Sequence, residues 1–166
     1  MARYVRTQAI EHPIGSDGRV VLKVASADVR VRGTDADRAA MRATFEISAS
    51  SEAEADAVFE RTRMRVAAGS GALAVEESNG SSLGGVIGRL LTGRGSVDVD
   101  VELEIPRGAR LVIETISGDI TAEGLHGEQR VNTTSGDLYL EDAGGTLRIE
   151  TVSGDIVIRC QRAISA

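Results

Sequence analysis

The chain has 166 residues, 42% of them apolar, 27% charged and 2% aromatic, with a formal net charge of −6. That length suits one domain and that balance an ordinary folded chain, which excludes wholesale disorder. Residues 1–70 hold 11 Lys and Arg against 10 Asp and Glu, so the acidic excess falls in residues 71–166, the wrong sign for a nucleic-acid surface that works by counterion release.

Residues 1–15 lack the apolar run of a signal peptide, and no stretch approaches the ~20 apolar residues of a membrane span. The expectation is therefore a cytoplasmic chain as written, associated with the envelope only if an anchor lies beyond Ala166. Cys160 stands alone, so no intrachain disulfide can form, and a small buried thiol is expected there.

In chain order, Val20, Leu22 and Val24 lead into Ser26-Ala27-Asp28-Val29-Arg30-Val31, a degenerate form of a phrase that recurs later, and the coil is expected to begin here. Gly33 to Asp37 supplies a turn, and Met41, Ala43, Phe45 and Ile47 alternate with polar residues as a strand. Ser50 or Ser51 offers a helix N-cap with Glu52, Glu54 and Asp56 in the first turn, which predicts a helix over 51–61. Its apolar Ala55, Val58 and Phe59 share one face, suited to covering an end or side of the fold.

Arg63 to Val66 and Leu73 to Val75 flank Gly69-Ser70-Gly71 as an inserted hairpin. Ser78 to Gly95 reads as a Gly- and Ser-rich loop packed on its own domain, or as a membrane- or partner-touching loop through Leu90 and Leu91. Strand 96–105 follows, with Val97, Val99, Val101, Leu103 and Ile105 on one face and Asp98, Asp100, Glu102 and Glu104 on the other. Those carboxylates fit a salt-bridged face against Arg30 and Arg32 or Arg63 and Arg65; the sharper alternatives are a cation site or a general acid–base pair.

Pro106-Arg107-Gly108 launches the regular part. Ile113-Glu114-Thr115-Ile116-Ser117-Gly118-Asp119-Ile120 returns at Val131 to Leu138 and again at Ile149 to Ile156, with Ser117, Ser135 and Ser153 spaced by 18 residues. A fixed period of this kind marks stacked repeats. Alternating apolar residues on both sides of each Ser-Gly-Asp make short strands, and Gly118, Gly136 and Gly154 occupy the corner between them. At ~3.3 Å per extended residue, 18 residues give about 60 Å of contour, enough to circle a narrow core, with rungs about 4.8 Å apart.

The fold expected is mainly β: a right-handed parallel β-solenoid of 18-residue coils, with one helix and the hairpin inserted in the N-terminal half. It forms a single domain, 1–166, whose N-terminal block 1–106 precedes regular repeats over 107–166. Stacking puts Asp119, Asp137 and Asp155 in one column, where repulsion is offset if each carboxylate accepts an N–H of its own corner. Calcium held by that column is the alternative.

Gln161 to Ala166 begins a further coil that does not close. Either the natural chain continues or a partner covers this end, which makes Ile156, Ile158 and Ile164 candidates for an assembly contact.

No phosphate loop or nucleophile elbow is present, and His12 and His126 lack neighbours at metal-ligand spacing. No cofactor is expected. The opening Val21-Leu22-Lys23-Val24-Ala25-Ser26-Ala27-Asp28-Val29-Arg30-Val31-Arg32-Gly33, the approach Val101-Glu102-Leu103-Glu104-Ile105-Pro106-Arg107-Gly108-Ala109 and the Ser-Gly-Asp copies resemble the bacterial putative-adhesin proteins, a β-strand-repeat family of unknown function. The resemblance covers most of the chain. It implies a β-solenoid, in some members attached to envelope-stress or surface proteins, with no catalytic residues to carry over; Ala27 departs from the family's glycine.

The function expected is a non-enzymatic module for a protein or cell-surface partner, with exposed Thr, Asp and Glu ladders as its contact face. The rivals are a self-assembling scaffold stacked end to end through the open coil, and a cation-binding or carboxylate enzyme on the acidic face.

Overall fold

The computed structural model describes residues 2–77 and 97–160. Thirteen strands and one helix lie in these segments: β1 (Ala2–Pro13), β2 (Arg19–Ser26), β3 (Asp28–Thr34), β4 (Arg38–Ala49), α1 (Glu52–Thr62), β5 (Met64–Gly69), β6 (Ala72–Glu77), β7 (Val97–Pro106), β8 (Arg110–Ser117), β9 (Ile120–Glu123), β10 (Gln129–Thr133), β11 (Leu138–Ala143), β12 (Leu147–Thr151) and β13 (Ile156–Cys160). They form a seven-stranded sheet ordered β1-β4-β7-β3-β9-β11-β13 and a six-stranded sheet ordered β12-β10-β8-β2-β6-β5. Neither closes into a barrel. The loop expected over Ser78 to Gly95 lies outside the described residues, as does Ile164.

From β8 onward the chain alternates strictly between the sheets, one strand to each, so every rung contributes to both. Equivalent positions pair in parallel: Ile113 with Val131 and Val131 with Ile149 in one sheet, Ile120 with Leu138 and Leu138 with Ile156 in the other. Alternation along each strand turns one set of side chains into the space between the sheets. Leu22, Ile113, Val131, Val29, Ile120 and Leu138 are all buried in one continuous core.

The degenerate copy is a true rung. Leu22 pairs with Ile113, Ser26 with Ser117 and Val29 with Ile120, so Ala27 occupies the place of the corner glycine. It is not the outermost rung, however. Strand β6 pairs in parallel with β2 (Leu22 opposite Val75), and β7 in parallel with β3 (Val29 opposite Val101), so a rung made later in the chain lies beyond the first one. The expected hairpin β5–β6 forms, but its second strand belongs to the stack instead of standing outside it. The acidic strand does meet Arg30 and Arg32, which lie opposite Glu102 and Glu104; Arg65 lies opposite Glu76 instead.

Helix α1 begins one residue after the expected start. Ser51 caps it by accepting the Glu54 N–H at 3.2 Å, one of the donors the helix would leave orphaned, and the Glu54 carboxylate reaches back past the cap to the Ser50 N–H at 2.8 Å. Phe59 meets the buried Phe45 edge to face, ring centres 5.2 Å apart, a preferred aromatic geometry. The helix lies against β4 and β1.

The twelve-residue β1, which sequence inspection missed, pairs antiparallel with β4 along its whole length. It is tied to β5, the edge of the other sheet, by polar side chains. Gln8 donates to the Met64 carbonyl at 3.0 Å and accepts the Met64 N–H at 2.8 Å, while His12 Nε2 lies 2.7 Å from the Gly69 carbonyl. This end of the two-sheet stack is thereby closed. The opposite end, β12 and β13, has no such bridge among the described residues.

Candidate functional site

The Ser-Gly-Asp column sits where the chain passes from the six-stranded to the seven-stranded sheet. Gly118, Gly136 and Gly154 have φ of 110°, 118° and 122°, a region costly for any residue with a Cβ. A Cβ on Gly136 would also lie 2.2 Å from the Gly118 carbonyl oxygen, and one on Gly154 2.0 Å from that of Gly136. Glycine is thus required twice, by backbone conformation and by the closeness of the rung beneath.

The aspartates are held across rungs and not within their own corner. Asp28 Oδ1 accepts the Asp119 N–H, Asp119 Oδ1 the Asp137 N–H and Asp137 Oδ1 the Asp155 N–H, each at 3.0 Å. In return, the N–H of Val29, Ile120 and Leu138 donates to the carbonyl of the next rung's aspartate at 2.9 Å. This corrects the expected own-corner bond. Parallel stacking aims the N–H after each glycine along the stack, so every carboxylate meets a donor from its neighbour, and charge-assisted bonds offset repulsion along the column.

Threonine plays a part that sequence inspection assigned to a contact face. Thr115, Thr133 and Thr151 donate through Oγ1 to the carbonyls of Ser117, Ser135 and Ser153 at 2.9–3.0 Å. Thr115 and Thr133 are buried, so this ladder caps corners and is not offered to a partner. A Thr two residues before each corner Ser was the available signal.

Among the described residues, no group of three or more His, Cys, Asp or Glu is placed to hold a metal ion. His126 pairs with Asp142 across 3.5 Å at another turn, far in sequence from His12.

The exposed carboxylates Asp98, Asp100, Glu102 and Glu104 line the outer face of the seven-stranded sheet. Rows cross it strand by strand: Ala9, Arg42, Glu102, Arg30, Thr121, Tyr139 and Val157 are successive partners. A hollow of about 460 Å³, lined by Ala9, Glu11, Arg42, Glu102 and Glu104 among others, opens on this face. Desolvation raises the Asp100 pKa above its usual carboxylate value, and Asp28, Glu46, Asp98 and Glu102 add to the rise. A second hollow of about 340 Å³ lies on the six-stranded sheet beside Glu114, Asn132, Thr134 and Glu150.

Ile156 and Ile158, named as an assembly end, lie on β13, each 41% exposed, whereas Ile120 and Leu138 at the first of these motif positions are 1% exposed.

No helix among the described residues is long and apolar enough to cross a membrane. No curated protein matches the sequence. The solved structure of a putative cell adhesion protein from Clostridium sporogenes is similar over 96% of this chain and 100% of its own, with a TM-score of 0.53 and 8% identity, a likeness of fold. A putative adhesin from Parabacteroides merdae overlaps 92% of this chain and 96% of its own at a TM-score of 0.31 and 6% identity. A putative lipid binding protein from Parabacteroides distasonis overlaps 91% and 96% at 0.31 and 12%. Residues 62–165 match the family described as Toastrack DUF4097. Carrying the Ser-Gly-Asp rungs within that span, the chain belongs to the Toastrack DUF4097 family.

Proposed function

We propose that this chain is a non-enzymatic interaction module, a right-handed β-solenoid of 18-residue coils that offers the outer face of its seven-stranded sheet to a protein or cell-surface partner. The parallel registers through Ile113, Val131 and Ile149 support the coil, and the strict preference for right-handed crossovers supplies the hand.

The observation that carries the functional reading is the broad outer face itself, seven strands wide, with Arg42, Glu102, Arg30 and Tyr139 aligned in one row. Arginine and exposed tyrosine, here Arg42, Arg30 and Tyr139, are residue types enriched where one protein surface recognises another. The most patterned residues of the chain, Ser, Gly, Asp and Thr of the corners, are meanwhile committed to backbone hydrogen bonds. The fold likeness to the putative cell adhesion protein of Clostridium sporogenes agrees with a surface partner and with envelope association.

The test is saturable retention of the purified chain on bacterial cells and on their isolated envelope proteins. Arg30→Gln combined with Tyr139→Ala is expected to lower retention about five-fold or more, with the circular dichroism spectrum of the folded chain retained, and added salt to weaken it. Retention that ignores both substitutions, or none at all at ~100 µM, defeats the reading.

A further inference from the structure

Among the described residues, the β12–β13 end is left open in three separate ways. Both strands are sheet edges, and an unpaired edge is a template for another chain. Their inward residues are only partly covered: Leu147 and Ile149 are half-buried, and Ile156 and Ile158 are more exposed still. Asp155 ends the carboxylate ladder in which Asp28, Asp119 and Asp137 each receive an N–H from the next rung.

We propose that this end is a homodimer face, on which a second copy of the chain sits about a two-fold axis, pairing β12 with β12 and β13 with β13 antiparallel. Head-to-tail stacking is disfavoured because the other end is closed by β1 and β5 through Gln8, Met64, His12 and Gly69. The second copy must then come through the same end, and an isologous contact closes at two subunits instead of growing into a filament.

The two edges are self-complementary. Each is five residues long, Leu147–Thr151 and Ile156–Cys160, with an isoleucine at its centre, Ile149 or Ile158. The corner Val152 to Asp155 joins Thr151 to Ile156, so both centres lie two residues from the same corner. One axis perpendicular to the sheets therefore serves both.

Antiparallel pairing centred on Ile149 sets Arg148 opposite Glu150 of the second copy, and Glu150 opposite its Arg148. Within one chain these two already pair at 3.1 Å, so the dimer makes a ring of four alternating charges. Opposite charges directly across antiparallel strands are favourable, and like charges are not. On β13 the same symmetry sets Arg159 opposite Val157, with no like charges facing.

Five residues span about 17 Å, and two sheets about 10 Å apart make an end face of about 17 by 20 Å. That is well below the ~800 Å² per partner of a standard interface, so a weak dimer is expected, with a dissociation constant on the order of 100 µM.

Sedimentation equilibrium of the full chain from ~10 µM to ~1 mM tests this. The expected result is a monomer–dimer equilibrium with no larger species. Ile158→Lys should weaken it at least ten-fold. Arg148→Glu and Glu150→Arg should each weaken it about three-fold, and the chain carrying both exchanges should recover, because the alternation of charge across the axis is restored.

A chain that stays monomeric at ~1 mM overturns the proposal, as does mass that climbs past the dimer without limit. Failure of the double exchange to recover overturns the paired register. If Ile158→Lys does not fold, judged by circular dichroism, the charge series on the exposed outer face still decides the matter.

Discussion

The two ends of the stack solve the same problem in opposite ways. At one end the last rung, β6 and β7, is covered by antiparallel β4, β1 and β5, by the Phe45–Phe59 contact beneath α1, and by Gln8 and His12 bridging the two edges. At the other end β12 and β13 carry the family phrase intact, yet among the described residues their aliphatics are only partly covered, Leu147 and Ile149 half-buried and Ile156 and Ile158 41% exposed. A repeat stack buries a side chain only when a neighbour lies on each side of it. Identical residues are therefore worth different amounts according to how far from an end they sit.

The sharpest way to break that comparison is to truncate one motif position in two rungs. Ile120→Ala is expected to cost about 3 kcal/mol, since Ile120 is 1% exposed and a buried isoleucine leaves a cavity. Ile156→Ala, at 41% exposure, is expected to cost about 1 kcal/mol or less. Urea titrations that return equal losses would refute the contrast between a fully covered and a partly covered rung.

The corner column offers the next largest contrast. Gly136→Ala meets both the left-handed backbone and the Gly118 carbonyl, and about 2–3 kcal/mol of destabilisation is expected. A Cβ at Gly69 meets nothing within 4 Å, so Gly69→Ala should move stability by no more than about 0.5 kcal/mol. Thermal melts of the pair would show whether strain is confined to the column.

Removing the clasp of the closed end is expected to cost less. Gln8→Ala leaves the Met64 N–H and carbonyl without their partner, a loss of about 1–2 kcal/mol. Hydrogen exchange at β1 and β5 should quicken while exchange at β10 stays unchanged.

The smallest effect runs the other way. Folded Asp100 holds its proton more tightly than the unfolded chain does, because of desolvation and then Asp28, Glu46, Asp98 and Glu102. Its charge therefore subtracts stability as pH climbs from the unfolded carboxylate value near ~3.9 through the raised folded one. Asp100→Asn should raise the melting temperature at neutral pH by about 1 °C, little because the group is exposed and screened. The gain should fade below about pH 4.

Much of this was legible in the residues. Period-2 alternation named β4, β7 and the strands beside each Ser-Gly-Asp. Ser51 with Glu54 announced the helix, and the recurrence of Ser117, Ser135 and Ser153 announced the stack and the family. β1 escaped because the Tyr4, Arg6, Gln8, Ile10 and His12 face mixes apolar and polar residues, its role being to bridge to β5 as well as to bury. The Thr ladder was misplaced outside because a polar residue at an inward position is explained only by the Ser carbonyl it caps.

The amino-acid order by itself therefore determined where the chain bends and which face of each strand turns inward, since both depend on residues a few positions apart: glycine's freedom at φ > 0 and the two-residue period of an extended chain. Which rung lies beside which was decided only in three dimensions. Placing β6 and β7 outside β2 and β3, donating the Asp137 N–H to Asp119, and leaving Ile156 partly exposed while Ile120 is buried all depend on partners brought together by pairing across the sheets, and no local pattern encodes the neighbour that arrives from elsewhere in the chain.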